Sequence, residues 1–185
     1  MYQQSPMQAL DVAIYREDFE TVAEFPENFD WTMAVLDLAD KGTDRTAICL
    51  IGKNGDDLYL LDTLTDKRSF EYTEPRIKRF ITEHNPTFFF AENNAESITI
   101  RKLVRTMKKQ GITSKLFNTK KNKRVKILLN LGNIKNLKIL NTKEREYNEF
   151  INNVCKYDLS RQEQHDDEID VLAMAFELIE MGGIS

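Results

Sequence analysis

The feature that most constrains the fold is a change of hydrophobic period near residue 70. Before it, three short apolar runs follow one another: TMAVLDLA (32–39), RTAICLIG (45–52) and DLYLLDTLT (57–65). Runs of this length bounded by polar residues have the pattern of strands. Lys53, Asn54, Gly55 and Asp56 between the second and third make a hairpin turn, so the three strands form a meander. After residue 70 the spacing becomes helical. Ile77, Phe80 and Ile81 predict a helix over 75–84, stopped at Asn85-Pro86 because the residue before a proline avoids the helical region. TFFFAE (87–92) reads as an interior strand. Ile98, Leu103, Val104 and Met107 give the buried stripe of a helix over 97–110, with Gly111 as its C-terminal cap. A strand over 114–119, a helix over 124–131 ended by Gly132, and a short strand-like piece at 137–140 follow. Two more helices are predicted at 143–157, with Tyr147, Phe150, Ile151 and Val154 apolar, and at 167–180, with Leu172, Ala173, Phe176 and Ile179 apolar. A meander followed by βα units implies an α/β fold in which helices flank a mixed sheet of antiparallel and parallel strands. Residues 1–30, which hold Pro6 and Pro26, read as a tail or linker, and 31–185 as one domain.

Composition excludes other classes. The 185 residues suffice for one domain with a sizeable core. Seven glycines and four prolines are too few for a fibrous or disordered chain. No apolar run approaches the roughly 20 residues that span a bilayer, and the first residues lack the basic-then-apolar pattern of a secretory signal. Cys49 and Cys155 lie far apart, one in a predicted strand and one in a predicted helix, and read as apolar side chains rather than a disulfide or metal pair.

Carboxylates mark the candidate site. Asp37 lies near the end of the first strand, Glu92 ends the fourth in FFFAENN, and HDDEID (165–170) opens the last helix. Strand ends and helix starts are where side chains converge on a cleft. On a helix, Asp167 and Asp170, or Asp166 and Asp170, share a face. Acids crowded together repel unless a cation neutralises them, and hard oxygen ligands of this kind suit Mg²⁺ or Mn²⁺. Each acid alone has an ordinary reading: Asp166 as a helix cap, Asp37 as a turn residue. Glu92 is harder to dismiss, since an acid directly after three phenylalanines needs a partner. His165 reads equally as a ligand or as a solvent-facing residue, and His84 suits a helix end.

The net charge of -4 does not by itself suggest a nucleic acid partner. Its distribution does. From Arg101 to Lys126 the chain holds eleven basic residues and no acid. Lys102, Lys108 and Lys109 read as a solvated helix face, whereas Lys120, Lys121, Lys123 and Arg124, packed into a polar loop, read as phosphate contacts.

In combination these segments resemble a known family, the large terminases of tailed bacteriophages. LDLADKGTDRTAI (36–48) is similar to their first nuclease motif, AENNA (91–95) to their second, KKNKRVKILLNLGNIKNLKIL (120–140) to their basic loop, helix and strand, and HDDEIDVLAMAF (165–176) to their terminal motif. Leu38 stands where relatives often have proline. The resemblance covers about residues 32–180. It implies a ribonuclease-H-like nuclease that cuts concatemeric double-stranded viral DNA during packaging, in the cytoplasm of the bacterial host, with two divalent ions, Mg²⁺ or Mn²⁺. By position it implies Asp37, Glu92 and Asp167 as catalytic acids and Asp170 as a further metal ligand. Asp44, Asp166 and His165 are secondary candidates, and Asp40 a weaker one. The partners it implies are duplex DNA, a terminase ATPase domain, the small terminase subunit and the portal protein, with no membrane. The sequence contains no G-x-x-x-x-G-K-[ST] phosphate loop, so the chain reads as a nuclease domain without its motor. Two other readings stay open: a junction resolvase or hybrid-cutting ribonuclease, and a non-catalytic module that binds DNA or the portal.

Overall fold

A computed structural model describes residues 13–38, 45–93, 97–119, 121–161 and 164–182. The meander forms as expected: β2 (Trp31–Asp37), β3 (Thr46–Asn54) and β4 (Asp57–Asp66) are paired antiparallel. The β3–β4 turn is only Gly55 and Asp56, tighter than the four residues the sequence suggests. Gly55 takes a positive φ of 59°, which glycine adopts without strain, and its N–H donates to Asp30 Oδ2 at 2.9 Å.

Four more strands extend the meander in both directions. β5 (Phe88–Glu92) pairs parallel with β2, and β6 (Thr113–Phe117) parallel with β5. On the other side β7 (Lys138–Leu140) pairs parallel with β4, and β1 (Glu20–Val22) parallel with β7. The sheet order is therefore β1-β7-β4-β3-β2-β5-β6, mixed as the sequence implies. Residues 20–22, which read in the sequence as part of a tail, are its edge strand, and Ile14 and Phe19 beside them are buried in the core. Three residues carry too little period to announce a strand, which here is fixed by pairing with β7.

Helices cover both faces. α1 (Phe70–His84) and α2 (Ser97–Lys109) pack on one side with Ala34, Leu36, Ile48, Leu50, Phe89 and Ala91 of the sheet. α3 (Lys123–Lys135), α4 (Arg145–Cys155) and α5 (Asp167–Glu180) cover the other, against Met33, Val35, Cys49, Ile51 and Phe90. The alternation along β2 and β5 is the two-residue period of a strand buried on both faces.

Three helix readings need correction. α1 begins at Phe70, before Pro75, because Thr73 is fully buried and its turn is tied back to Ser69 O by the N–H groups of Tyr72 and Thr73. α3 runs through Gly132 to Lys135, because burying Ile134 in the core outweighs the cost of a helical glycine. In α2 the buried stripe is Ile100, Leu103, Val104 and Met107, while Ile98 is exposed. Ile98 lies about 140° round the helix from Leu103, well off the stripe. Gly111 caps α2 as expected, at φ 89°. Both cysteines are free, Cys49 buried and Cys155 half-buried. Among the described residues no helix is long and apolar enough to cross a membrane.

Tyr147 of α4 fastens the β4–β7 join. Its hydroxyl donates to Leu60 O at 2.6 Å and accepts from Leu140 N at 3.1 Å. Tyr147→Phe leaves both backbone groups without this partner and is expected to cost about 1–3 kcal/mol. Chemical denaturation checks this: the midpoint should fall with the slope unchanged.

Candidate functional site

β2 and β5 are adjacent and parallel, so their C-terminal ends lie at the same edge of the sheet. The last registered pair is Leu36 with Ala91, and the next residue on each strand is Asp37 and Glu92. Both share strand parity with the residues facing α5, namely Val35 and Met33 in β2 and Phe90 in β5. The acids thus point to the face that α5 covers.

α5 presents its N-terminal turn at the same edge. Asp167, Glu168 and Asp170 are all buried there, an uncommon state for acids that requires compensation. Each has a partner. Asp167 Oδ2 accepts from Arg45 N at 3.1 Å. Glu168 Oε1 accepts from Arg45 Nη1 at 3.1 Å and from Asn153 Nδ2 at 2.9 Å. Asp170 Oδ1 lies 2.6 Å from Lys126 Nζ. That contact is an ion pair without hydrogen-bond geometry, so this buried oxygen has no hydrogen-bond partner among the described residues. Asp166 does not cap the helix with its side chain, the ordinary reading of its position, and instead pairs with Lys123 Nζ at 2.6 Å.

The acids feel one another. Burial pushes the Asp37 carboxyl well above the usual carboxylate range, and Asp170, Glu92 and Asp167 push it further, against the pull of Lys123. Burial also raises Asp167 and Asp170, with Lys123 opposing in the first case and Lys126 and Lys123 in the second. Glu92 is half-buried and takes a hydrogen bond from the Thr119 hydroxyl.

The predicted site residues therefore divide. Asp37, Glu92, Asp167 and Asp170 come together, with Asp166 at their margin. His165 is exposed. Asp40, Asp44 and Lys120 lie outside the described residues. Of the lysines read as phosphate contacts, Lys121 is at the surface in an ion pair with Glu177 at 2.8 Å, and Arg124 is exposed with its guanidinium donating to Leu159 O. Lys123 turns inward to the acids. Sequence reasoning misses Lys126, Arg45, Asn153 and Thr119. Lys126 is detectable: it lies on the same stripe as Ile127, Asn130, Leu131 and Ile134, a buried face on which a lysine needs a carboxylate. Arg45, Asn153 and Thr119 carry no comparable signal, since only the fold brings them to the acids.

The donor set fits a hard divalent cation. Asp37, Glu92, Asp167 and Asp170 offer only carboxylate oxygens, and their mutual repulsion is what such an ion relieves. Among the described residues no three acid, histidine or cysteine side chains are by themselves arranged to enclose an ion; the ammonium groups of Lys123 and Lys126 stand beside the acids.

Comparison with known proteins bears on this arrangement. A family model described as the terminase RNaseH-like domain matches residues 34–178. No curated protein matches the chain. Among solved structures, the large terminase of a thermophilic bacteriophage aligns with a TM-score of 0.61 at 16% identity, over 90% of this chain and 44% of that one. The manganese-soaked terminase nuclease domain of human cytomegalovirus aligns at 0.61 and 14% identity, over 88% of this chain and 92% of that one. The fowlpox virus Holliday junction resolvase aligns at 0.57 and 14% identity, over 81% and 98%. At these identities the likenesses speak for the fold alone, which is ribonuclease-H-like. The chain spans less than half the length of the thermophilic phage's large terminase. With the family model covering the acid-bearing ends of both strands and nearly all of α5, this chain belongs to the terminase family, as a ribonuclease-H-like domain.

Proposed function

We propose that the chain is a metal-dependent endonuclease that hydrolyses duplex DNA during viral genome packaging. The observation that carries this reading is the convergence of Asp37, Glu92, Asp167 and Asp170 from two strand ends and one helix start, a placement that raises the Asp37, Asp167 and Asp170 carboxyls. Structural acids are rarely gathered at such a cost in burial. In support, the cytomegalovirus nuclease domain of the same fold was soaked with manganese, and a large terminase nuclease of phage G20c has zinc bound.

In this reading Asp37, Glu92, Asp167 and Asp170 hold two divalent ions, Mg²⁺ or Mn²⁺. Such ions supply Lewis-acid activation of a water and neutralise charge on the departing 3′ oxygen. Thr119 orients Glu92 through its hydroxyl, and Arg45 orients Asp167 through its backbone N–H. Lys121 and Arg124, at the surface beside the acids' helix, and Lys120 before them bind backbone phosphates, which positions the duplex without reading its sequence. An ATPase motor domain, the small terminase subunit and the portal protein are the partners this role requires, and the cytoplasm of an infected bacterium its setting.

Plasmid cleavage with Mn²⁺ or Mg²⁺, against EDTA, tests the reading. The wild type should cut only with metal. Asp37→Asn and Glu92→Gln, each with unchanged circular dichroism, should cut about 10²–10⁴-fold more slowly, the loss of several kcal/mol of charge stabilisation. Equal cutting by all three proteins would sink the assignment. Four-way junctions and RNA–DNA hybrids in parallel assays separate duplex cutting from the resolvase activity of a neighbour with the same fold.

The same acid should cost stability. The folded Asp37 carboxyl is raised, so the folded state binds more protons than the unfolded state between the two values, and stability falls as pH rises through that window. Asp37→Asn removes the penalty. In EDTA at pH 7.5 the variant should melt about 2–4 °C above the wild type, the shift given by ~1 kcal/mol in a domain of this size. At pH 3.5, below the unfolded value, the difference should vanish. A variant that melts lower at pH 7.5 would mean that the carboxylates do not repel.

A further inference from the structure

Helix α3 opens against its own electrostatics. The first turn of a helix carries partial positive charge and favours acids, yet the first turn of α3 has no acid and begins with Lys123 and Arg124. Lys123 is held by the start of another helix. Its ammonium lies 2.6 Å from Asp166 Oδ1, 3.5 Å from Asp170 Oδ2 and 3.7 Å from Asp167 Oδ1. Burial works against that charge, and Asp170, Asp166 and Asp167 more than offset it. The same ammonium also acts on Asp37. One cation therefore serves the acids that the proposed metal ions would serve.

Lys126, one turn further along α3, makes a different arrangement. Its side chain is 2% exposed and, among the described acids, touches only Asp170, at 2.6 Å. The Lys123 side chain is 38% exposed, so it has a path outward that Lys126 lacks. Lys126 is thus a fixed counter-charge, and Lys123 a removable one. Outside the cleft, a lysine on this turn joins Lys121 and Arg124, the surface cations of the same segment.

We propose that Lys123 is a tethered competitor for the metal. Its ammonium neutralises Asp166, Asp167 and Asp170 until a DNA phosphate draws it outward and leaves the carboxylates to the divalent ion. Metal and DNA then bind with positive linkage, each raising the affinity for the other by the same factor. The inference rests on the metal-nuclease reading above. It reassigns Lys123 from a phosphate contact alone to a residue that exchanges one anion for another.

Calorimetric titration of Mn²⁺ into the DNA-free protein tests it, without any measurement of cutting. Lys123→Met, with Lys123→Gln as a second variant should the first fold poorly, should bind Mn²⁺ about tenfold more tightly than the wild type, or about 1.4 kcal/mol. Lys121→Met removes a nearby surface charge that is paired with Glu177 instead, and should change the affinity less than about twofold. Equal or weaker binding by both Lys123 variants overturns the proposal, and so does an equal gain from Lys121→Met, which would reduce the effect to net charge. Asp37→Asn in the same titration keeps the two readings distinguishable. If wild-type binding survives Asp37→Asn, the metal site itself is misplaced; if Asp37→Asn abolishes binding while the Lys123 variants match the wild type, only the competitor role fails.

Discussion

Helix α5 is buried along nearly its whole length, from Asp167 to Leu178, between the β2–β3 face of the sheet and the flanking helices α3 and α4. An apolar helix in that position is ordinary. This one begins with acids, and because the helix is a rigid rod its burial carries them into the protein. Much of the neighbouring polar chemistry follows from that constraint. Asn153 of α4 and Arg45 at the start of β3 meet Glu168, and the lysines of α3 meet the three aspartates.

These compensations are unequal. Glu168 has an arginine and an amide, and is satisfied within the protein. Asp37 and Glu92 reach the same edge on the sheet, and among the described residues Asp37 gains no cation of its own beyond its share of Lys123. The result is one settled acid beside a group left in electrostatic tension. Tension of that kind lowers stability, and proteins retain it where a ligand relieves it. The Asp66 carboxylate makes the contrast. Its side chain is buried too, but Arg68 and Arg76 grip it at 2.6 and 2.5 Å, and it is held far below the usual carboxylate range. It ties α1 to the sheet and has no chemistry left to offer.

Much of this is legible in the sequence. The meander, the helices and the three acid-bearing segments are announced by hydrophobic period and by acids at the ends of apolar runs, because both are local. Reading fails where a long-range contact overrules a local rule. Gly132 looks like a helix end until Ile134 finds the core. Ile98 joins a stripe by its apolarity alone, though its angle on the helix excludes it. β1 exists only because β7 offers it an edge. Lys123 looks in the sequence like the other lysines around it, and the partners that it and Lys126 turn inward to lie on α5, some forty residues later. That distance is why a basic segment that reads as a grip on DNA contains two residues that turn to the aspartates of α5 instead.

The position of β2 has one more consequence. It is paired on both sides, with β3 and β5, and β5 is paired again with β6. Amide protons in such strands exchange with solvent only when the sheet opens as a unit. The first amides of a helix, by contrast, have no partner within it, and those at the start of α5 rely on Arg45, Lys123 and Lys126 to pin the side chains beside them. The acid group is thus held in two ways. Asp37 and Glu92 are fixed by the paired strands of the sheet, while Asp167 and Asp170 are fixed by the burial of α5 and by the side chains that meet its first turn.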